Sequence, residues 1–196
     1  MCGRYYIADD DSSLELQSII AEIQHRNPAV MMKTGEIRPT DIAPVIANNS
    51  GLAPTPFVMK WGYTLPNGQL LFNSRSETAS TKPIFRDGMA QRRCLIPASN
   101  YSEWEKRGVQ KVKYAIRPSG SPALFMAGIY RIESGKPVFS ILTRSPADSI
   151  AFIQDRMPVI LPSEAKADWL NIRNRAEDVL RAAVMDYLPY ISFCLR

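Results

Sequence analysis

The chain has 196 residues, 45% of them hydrophobic and 22% charged, which is the composition of one globular domain with room for a substantial core. Its formal net charge of +5 and pI near 9.2 fit a polyanionic partner. No apolar run approaches the ~20 residues of a bilayer span, the start does not read as a secretory leader, and a lone histidine excludes a multi-histidine metal site.

Residues 2–8 read as a short strand running into an acidic turn, Asp9-Asp10-Asp11. Ser12 to Arg26 reads as a helix, with Leu16, Ile19, Ile20 and Ile23 on one face, a Ser12/Glu15 capping box and a stop at Asn27-Pro28. Residues 37–48 are extended around two prolines, and Phe57–Tyr63 and Leu70–Phe72 read as strands. Short helices are expected at Ser76–Ala79 and Phe85–Ala90. Strands then dominate, near 93–97, 101–105, 111–117, 123–131 and 137–143, with turns at Gly108, Ser119-Gly120 and Ser134-Gly135. Helices are expected from Ser145-Pro146 to Ile153, from a Ser163 cap to Leu170, and over 176–188. The fold class is therefore α+β, a single domain with a curled sheet or barrel-like core flanked by helices.

Cysteine usage carries the first chemical signal. Cys94 and Cys194 sit in apolar strands and read as buried core thiols, and the odd count without metal-ligand spacing suits a reduced, cytoplasmic protein. Cys2 differs, because removal of Met1 would make it the first residue. It would then carry a free α-amine and a thiol on adjacent carbons. An aldehyde can form an imine with such an amine, and the thiol can close a thiazolidine ring on the imine carbon. The amine titrates near ~7.7–8.0 and the thiol near ~8.5, so both are partly nucleophilic at neutral pH.

Polar clusters interrupt the apolar strands elsewhere. Asn73, Arg75 and Glu77 follow one strand, Glu103 lies within Tyr101-Ser102-Glu103-Trp104, and Gln154-Asp155-Arg156-Met157-Pro158 precedes Val159-Ile160-Leu161. Buried carboxylates are costly unless paired or functional, so Glu103 is a candidate for chemistry. Basic residues gather in the first half, including Arg4, Arg38, Lys60, Arg75, Arg86, Arg92 and Arg93.

Taken in order, these pieces resemble the SOS response-associated peptidase (SRAP) family over nearly the whole chain, read as one domain, 1–196. The matching segments are Met1-Cys2-Gly3-Arg4-Tyr5, Arg38-Pro39, Ile42-Ala43-Pro44, Trp61-Gly62 and Asn73-Ser74-Arg75-Ser76-Glu77-Thr78. They continue through Arg93-Cys94-Leu95-Ile96-Pro97-Ala98, Tyr101-Ser102-Glu103-Trp104, Ala127-Gly128, Thr143 and Asp155-Arg156-Met157-Pro158-Val159.

The resemblance implies a monomeric protein of the DNA-damage (SOS) response, nucleoid-associated if bacterial, needing no cofactor, metal or membrane. Its implied partner is single-stranded DNA with abasic sites, which Cys2 would join as a covalent thiazolidine crosslink. It also implies peptidase and possible lyase activity. Asn73 would orient the sugar or the amine, and Glu103 would move protons. Arg4 and Arg75 would hold phosphates, Trp61 would stack against a base, and Arg86, Thr143 and Arg156 would line the DNA path. Gln154 departs from the family, which carries histidine there. Glutamine keeps the hydrogen bonds but cannot titrate, so one proton-transfer step should slow. Asn100 replaces a glycine and suggests a left-handed turn position. Two other readings stay open: an N-terminal-nucleophile cysteine peptidase acting chiefly on its own first bond, and a non-covalent single-strand binding module.

Overall fold

The computed structural model describes residues 2–8 and 13–183, and the backbone of 190–195. Its strands and helices, in chain order, are β1 (Arg4–Ile7), α1 (Leu14–Arg26), β2 (Gly35–Ile37), β3 (Ile42–Asn48), β4 (Pro54–Trp61), β5 (Tyr63–Thr64), β6 (Leu70–Leu71) and β7 (Asn73–Arg75). They continue with α2 (Ser76–Ala79), α3 (Pro83–Gln91), β8 (Arg93–Ala98), β9 (Asn100–Arg107), β10 (Gln110–Pro118), β11 (Leu124–Glu133) and β12 (Lys136–Arg144). The last are β13 (Met157–Pro158), α4 (Ala165–Leu170), α5 (Ala176–Ala182) and β14 (Tyr190–Leu195).

Five strands close on themselves in the order β11-β8-β3-β4-β12, with β12 pairing back to β11. Closure satisfies both edges of the sheet and makes a barrel. The β12–β4 pair is parallel, and further along β12 the short strand β7 joins it, also in parallel, with Asn73 opposite Ile141. A second, antiparallel sheet runs β14-β10-β9-β1-β2. The chain passes from barrel to sheet between β8 and β9 at Ser99. The Ser99 N–H donates to the Tyr6 carbonyl (2.7 Å), and its Oγ accepts from Ala8 N–H (2.9 Å).

Side-chain alternation explains why the barrel strands are apolar on both faces. Cys94, Ile96, Met126, Phe139 and Ile141 point to one core, which the second sheet completes with Tyr5, Ile7, Ile37 and Tyr101. Their neighbours Leu95, Phe125, Ala127, Val138 and Leu142 point to the other core, under Leu16 and Ile19 of α1, Phe85 and Met89 of α3, and Trp169 of α4. Gly128 sits at a close approach: a Cβ there would lie 2.2 Å from Ile96 Cδ1 and 3.1 Å from the Ser140 carbonyl oxygen.

The α+β class and barrel-like core match the expectation, and most strands lie within a few residues of it. Four local readings need correction, the first being Asn100, which opens β9 opposite Tyr6 in strand conformation and is not left-handed. The cap of α1 is Ser13, one residue later than read, with Oγ accepting from Leu16 N–H. The expected helix over 145–153 is only a 3-10 turn at Asp148–Ile150. Pro146 has no N–H to give, and the Ala147 N–H is spent on the Met157 sulfur (3.3 Å), which fixes the segment as a loop. Helix α4 starts after Ser163 and Glu164 with no side-chain cap bond. The last helix is described only to Ala182, and residues 184–188 of that expectation lie outside the described residues.

Candidate active site and nucleic-acid interface

Four chain segments bring the candidate catalytic residues together. Cys2 precedes β1, Glu103 lies on β9 beside it, and Asn73 opens β7, hung on the barrel by β12. Asn73 Nδ2 donates to the Cys2 carbonyl at 2.8 Å. Its Oδ1 is buried without a hydrogen-bond partner among the described residues. Gln154 comes from the loop between β12 and β13, which is pinned by Ile150 and Ile153 in the core. Its amide bonds to the Glu103 carboxylate, and its Oε1 accepts from Asp155 N–H (3.2 Å).

Burial sets the electrostatics here. Cys2 is fully buried, and its Sγ donates to the Arg4 carbonyl at 3.6 Å. Loss of hydration, then the nearby Glu103 charge, push the thiol pKa far up. Glu103 is 2% exposed, and burial raises its pKa above the usual carboxylate value while the Gln154 hydrogen bond opposes the shift. Both groups therefore favour their protonated forms more than they would in water. An open cleft of about 470 Å³ leads to it, lined by Gly3, Arg4, Glu103, Trp104, Lys106, Lys111 and Gln154.

The other expected DNA contacts are spread out. Arg4 lines the cleft, its guanidinium 5.0 Å from the Trp104 ring centroid and 3.4 Å from Glu36. Arg75 is exposed at the end of β7, in register with Thr143 of β12. Thr143 is itself buried, with Oγ1 donating to the Ser74 carbonyl (3.4 Å). Arg156 forks onto Glu77 with two 2.8 Å bonds and reaches the Thr143 carbonyl at 2.7 Å. That fork draws the Glu77 carboxyl below its usual pKa. Arg86 stands on α3 at a different cleft, with Arg93, Arg173 and Arg175.

Trp61 is a correction. It is fully buried, its indole N–H donates to the Phe72 carbonyl (2.8 Å), and Phe139 stacks beside it at 3°. No ring face is left for a base. Its place is to hold Phe72, the residue before Asn73. Arg93 is buried too, donating to the carbonyls of Met89 (2.7 Å) and Asn174 (2.8 Å).

Sequence reasoning missed Trp104, Lys106 and Lys111 as cleft residues. The available signal was the alternation along β9, which sends Glu103 inward and Trp104 and Lys106 outward. Among the described residues no group of three or more His, Cys, Asp or Glu stands together as a metal site, and no helix is long and apolar enough to cross a membrane.

Comparison with known proteins decides the family. The profile described as SOS response associated peptidase (SRAP) matches residues 1–191. The chain belongs to the SRAP family. This SRAP chain is similar to the abasic site processing protein YoqW of Bacillus subtilis, 29% identical over 204 residues, covering 95% of this chain and 88% of that protein. It is also similar to YoaM of Bacillus subtilis, another abasic site processing protein, 30% identical over 206 residues, covering 95% and 86%. A crystal structure of a Bacteroides thetaiotaomicron protein shares the SRAP chain's fold with a TM-score of 0.80 at 21% identity, over 100% of this chain and 92% of that one.

Proposed function

We propose that this SRAP chain recognises abasic sites in single-stranded DNA and joins them covalently through Cys2 once Met1 has been removed. Relatives named as abasic site processing proteins support the substrate. The observation that carries the chemistry is the meeting of Cys2, Asn73 and Glu103: Asn73 grips the Cys2 carbonyl at 2.8 Å, and the buried Glu103 carboxylate acts on the Cys2 thiol.

The steps balance as follows. The neutral Cys2 amine attacks the aldehyde carbon of the ring-opened deoxyribose to give a carbinolamine. Glu103, held protonated more readily by burial, gives a proton to the departing hydroxyl, and water leaves. The thiol then adds to the imine carbon, passing its proton by way of the Glu103 carboxylate to the nitrogen. One C–N and one C–S bond form, the C=O bond is lost, and water is the only by-product. Arg4, Arg75 and Arg156 hold phosphates of the strand, while the buried Thr143 positions Arg156 through its carbonyl and Arg86 stands at a separate cleft.

A second reading, non-covalent strand binding, draws on the full burial of the Cys2 thiol. The peptidase implied by the family description lacks a histidine partner for Cys2, since the one histidine, His25, is exposed in the last turn of α1. One experiment separates them. Protein of verified mass, with Met1 removed, is incubated with single-stranded DNA bearing one abasic site and run on a denaturing gel. A shifted band lost in Cys2→Ala supports the crosslink. Native binding without that band supports the non-covalent reading and refutes the crosslink.

A further inference from the structure

The outward face of the second sheet carries a feature the crosslinking chemistry does not use. Register places Arg4 beside Ser102, Trp104 beside Lys113, Lys106 beside Lys111, and Tyr6 beside Glu36. Alternation therefore puts Arg4, Tyr6, Trp104, Lys106, Lys111, Lys113 and Glu36 on one face. The contacts agree. Arg4 and Lys113 both lie over the Trp104 ring, at 5.0 and 5.5 Å from its centroid. Lys106 and Lys111 are exposed and line the same cleft as Arg4 and Glu103.

Glu36 is the single carboxylate in this set, and cations surround it. Its Oε1 accepts from Arg38 Nη2 (2.7 Å) and Nε (2.9 Å) and from Arg4 Nη1 (3.4 Å), and its Oε2 accepts from Lys113 Nζ (2.6 Å). Hydrogen bonding from Lys113, with Arg38 and Arg4 adding to it, holds the carboxyl down to about 2 despite some burial. An anion gripped by two guanidiniums and an ammonium beside a half-buried indole sits as a backbone phosphate would sit beside a stacked base.

We propose that this face, centred on the β9–β10 hairpin, docks the single strand that flanks the reactive site, and that Glu36 fills a phosphate position until the strand displaces it. The proposal rests on the DNA reading above. It adds Lys106, Lys111 and Lys113 as phosphate contacts, Trp104 as the base platform and Glu36 as an internal competitor. Charge complementarity selects the occupant: three cations around one carboxylate, two further exposed lysines and two exposed or half-exposed rings suit a polyanion with unstacked bases.

The test measures binding of an unmodified single-stranded oligonucleotide against salt, beside crosslinking of the abasic version. The Lys106→Gln/Lys111→Gln pair should flatten the slope of log affinity against log salt by about 1.4, two contacts at ~0.7 each. A control pair on other exposed lysines, Lys82→Gln/Lys136→Gln, removes equal charge and should keep the wild-type slope. Glu36→Gln should tighten binding about two- to fivefold at low salt, the range of one screened surface ion pair. A wild-type slope in the hairpin pair, or no tightening in Glu36→Gln, overturns the proposal while wild-type crosslinking still stands. A wild type that neither binds nor crosslinks DNA overturns the reading beneath it as well.

Discussion

Glu103→Gln should make the protein more stable at neutral pH and nearly inactive. The carboxylate is 2% exposed, and its pKa lies above the ordinary value of 4.5, with burial the leading cause. A buried carboxylate forfeits several kcal/mol of hydration, and charge-assisted hydrogen bonds return ~1.5–3 kcal/mol each. The raised pKa has burial as its leading cause, so the charged form carries a net cost in the folded state. Glutamine has the same shape and can still accept from Gln154, so it removes the charge and little else. In a domain of this size 1 kcal/mol moves Tm by roughly 2–4 °C, so a rise of that order is expected. The sign with pH follows from the raised pKa. The folded state binds the proton more tightly than the unfolded one, so the wild type is relieved below the unfolded value and loses that stability as pH rises through the folded one. Thermal melts at pH 4 and pH 7.5 check this: the advantage of Glu103→Gln should shrink at the lower pH. Crosslinking should fall by ~10²–10⁴-fold if Glu103 is the proton carrier. A variant that melts below wild type at pH 7.5 would refute the reasoning, because Glu103 would then be a net stabilising ion partner.

Other outcomes follow from single contacts. Asn73→Ala frees the Cys2 carbonyl and should slow crosslinking by roughly 100-fold in a single-turnover assay, with little loss of affinity for unmodified DNA. Gln154→His restores a titratable group beside Glu103 and should speed crosslink formation or release, up to the ~10²-fold end of general acid–base catalysis, when both are timed near pH 7. Trp61→Phe removes one of two donors to the Phe72 carbonyl, which keeps the Ile141 N–H (3.1 Å), and should cost about 1 kcal/mol in denaturant melts, while DNA affinity well below Tm stays within about twofold of wild type. Gly128→Ala drives a Cβ to 2.2 Å from Ile96 Cδ1 and should cost ~1–3 kcal/mol in the same melts.

The barrel was legible because its strands obey one rule, apolar runs bounded by Gly and Ser turns. Where several rules compete, the sequence misleads. Ser12 and Ser13 are chemically equal caps, and only the phase of Leu16, Ile19 and Ile23 against the barrel selects Ser13. The stretch from Ser145 to Ile153 has helical spacing, but its apolar residues are buried as loop anchors that hold Gln154 at the cleft. The pieces of the site were recognisable as polar breaks in apolar strands, and Glu103 stood out because it lies among them. Trp61 misled because an aromatic near basic residues reads the same whether its ring is outside or inside. Trp104 and the hairpin lysines were hidden because strand register, not spacing, brings them beside Arg4.

How Cys2 is held bears on its proposed role as a first-residue nucleophile. Asn73 takes the Cys2 carbonyl, the one polar group of that residue that thiazolidine chemistry does not consume. In the proposed reaction that bond holds the residue without engaging the amine, and the thiol has only its long 3.6 Å contact to the Arg4 carbonyl to give up. The thiol, buried and pushed toward its protonated form, is a poor nucleophile toward solvent oxidants or stray electrophiles. An imine on the adjacent amine would change this in the proposed chemistry, because ring closure would then be intramolecular and need only a brief transfer of the thiol proton to Glu103. In the proposed chemistry, burial that would disable an ordinary catalytic cysteine would confine its reactivity to an aldehyde already captured by the amine. The cost is borne by Glu103, whose charge the fold must keep in a place where it is unwelcome. That expense is justified only if the carboxylate moves protons, which is why the stability gain and the activity loss of Glu103→Gln must appear together.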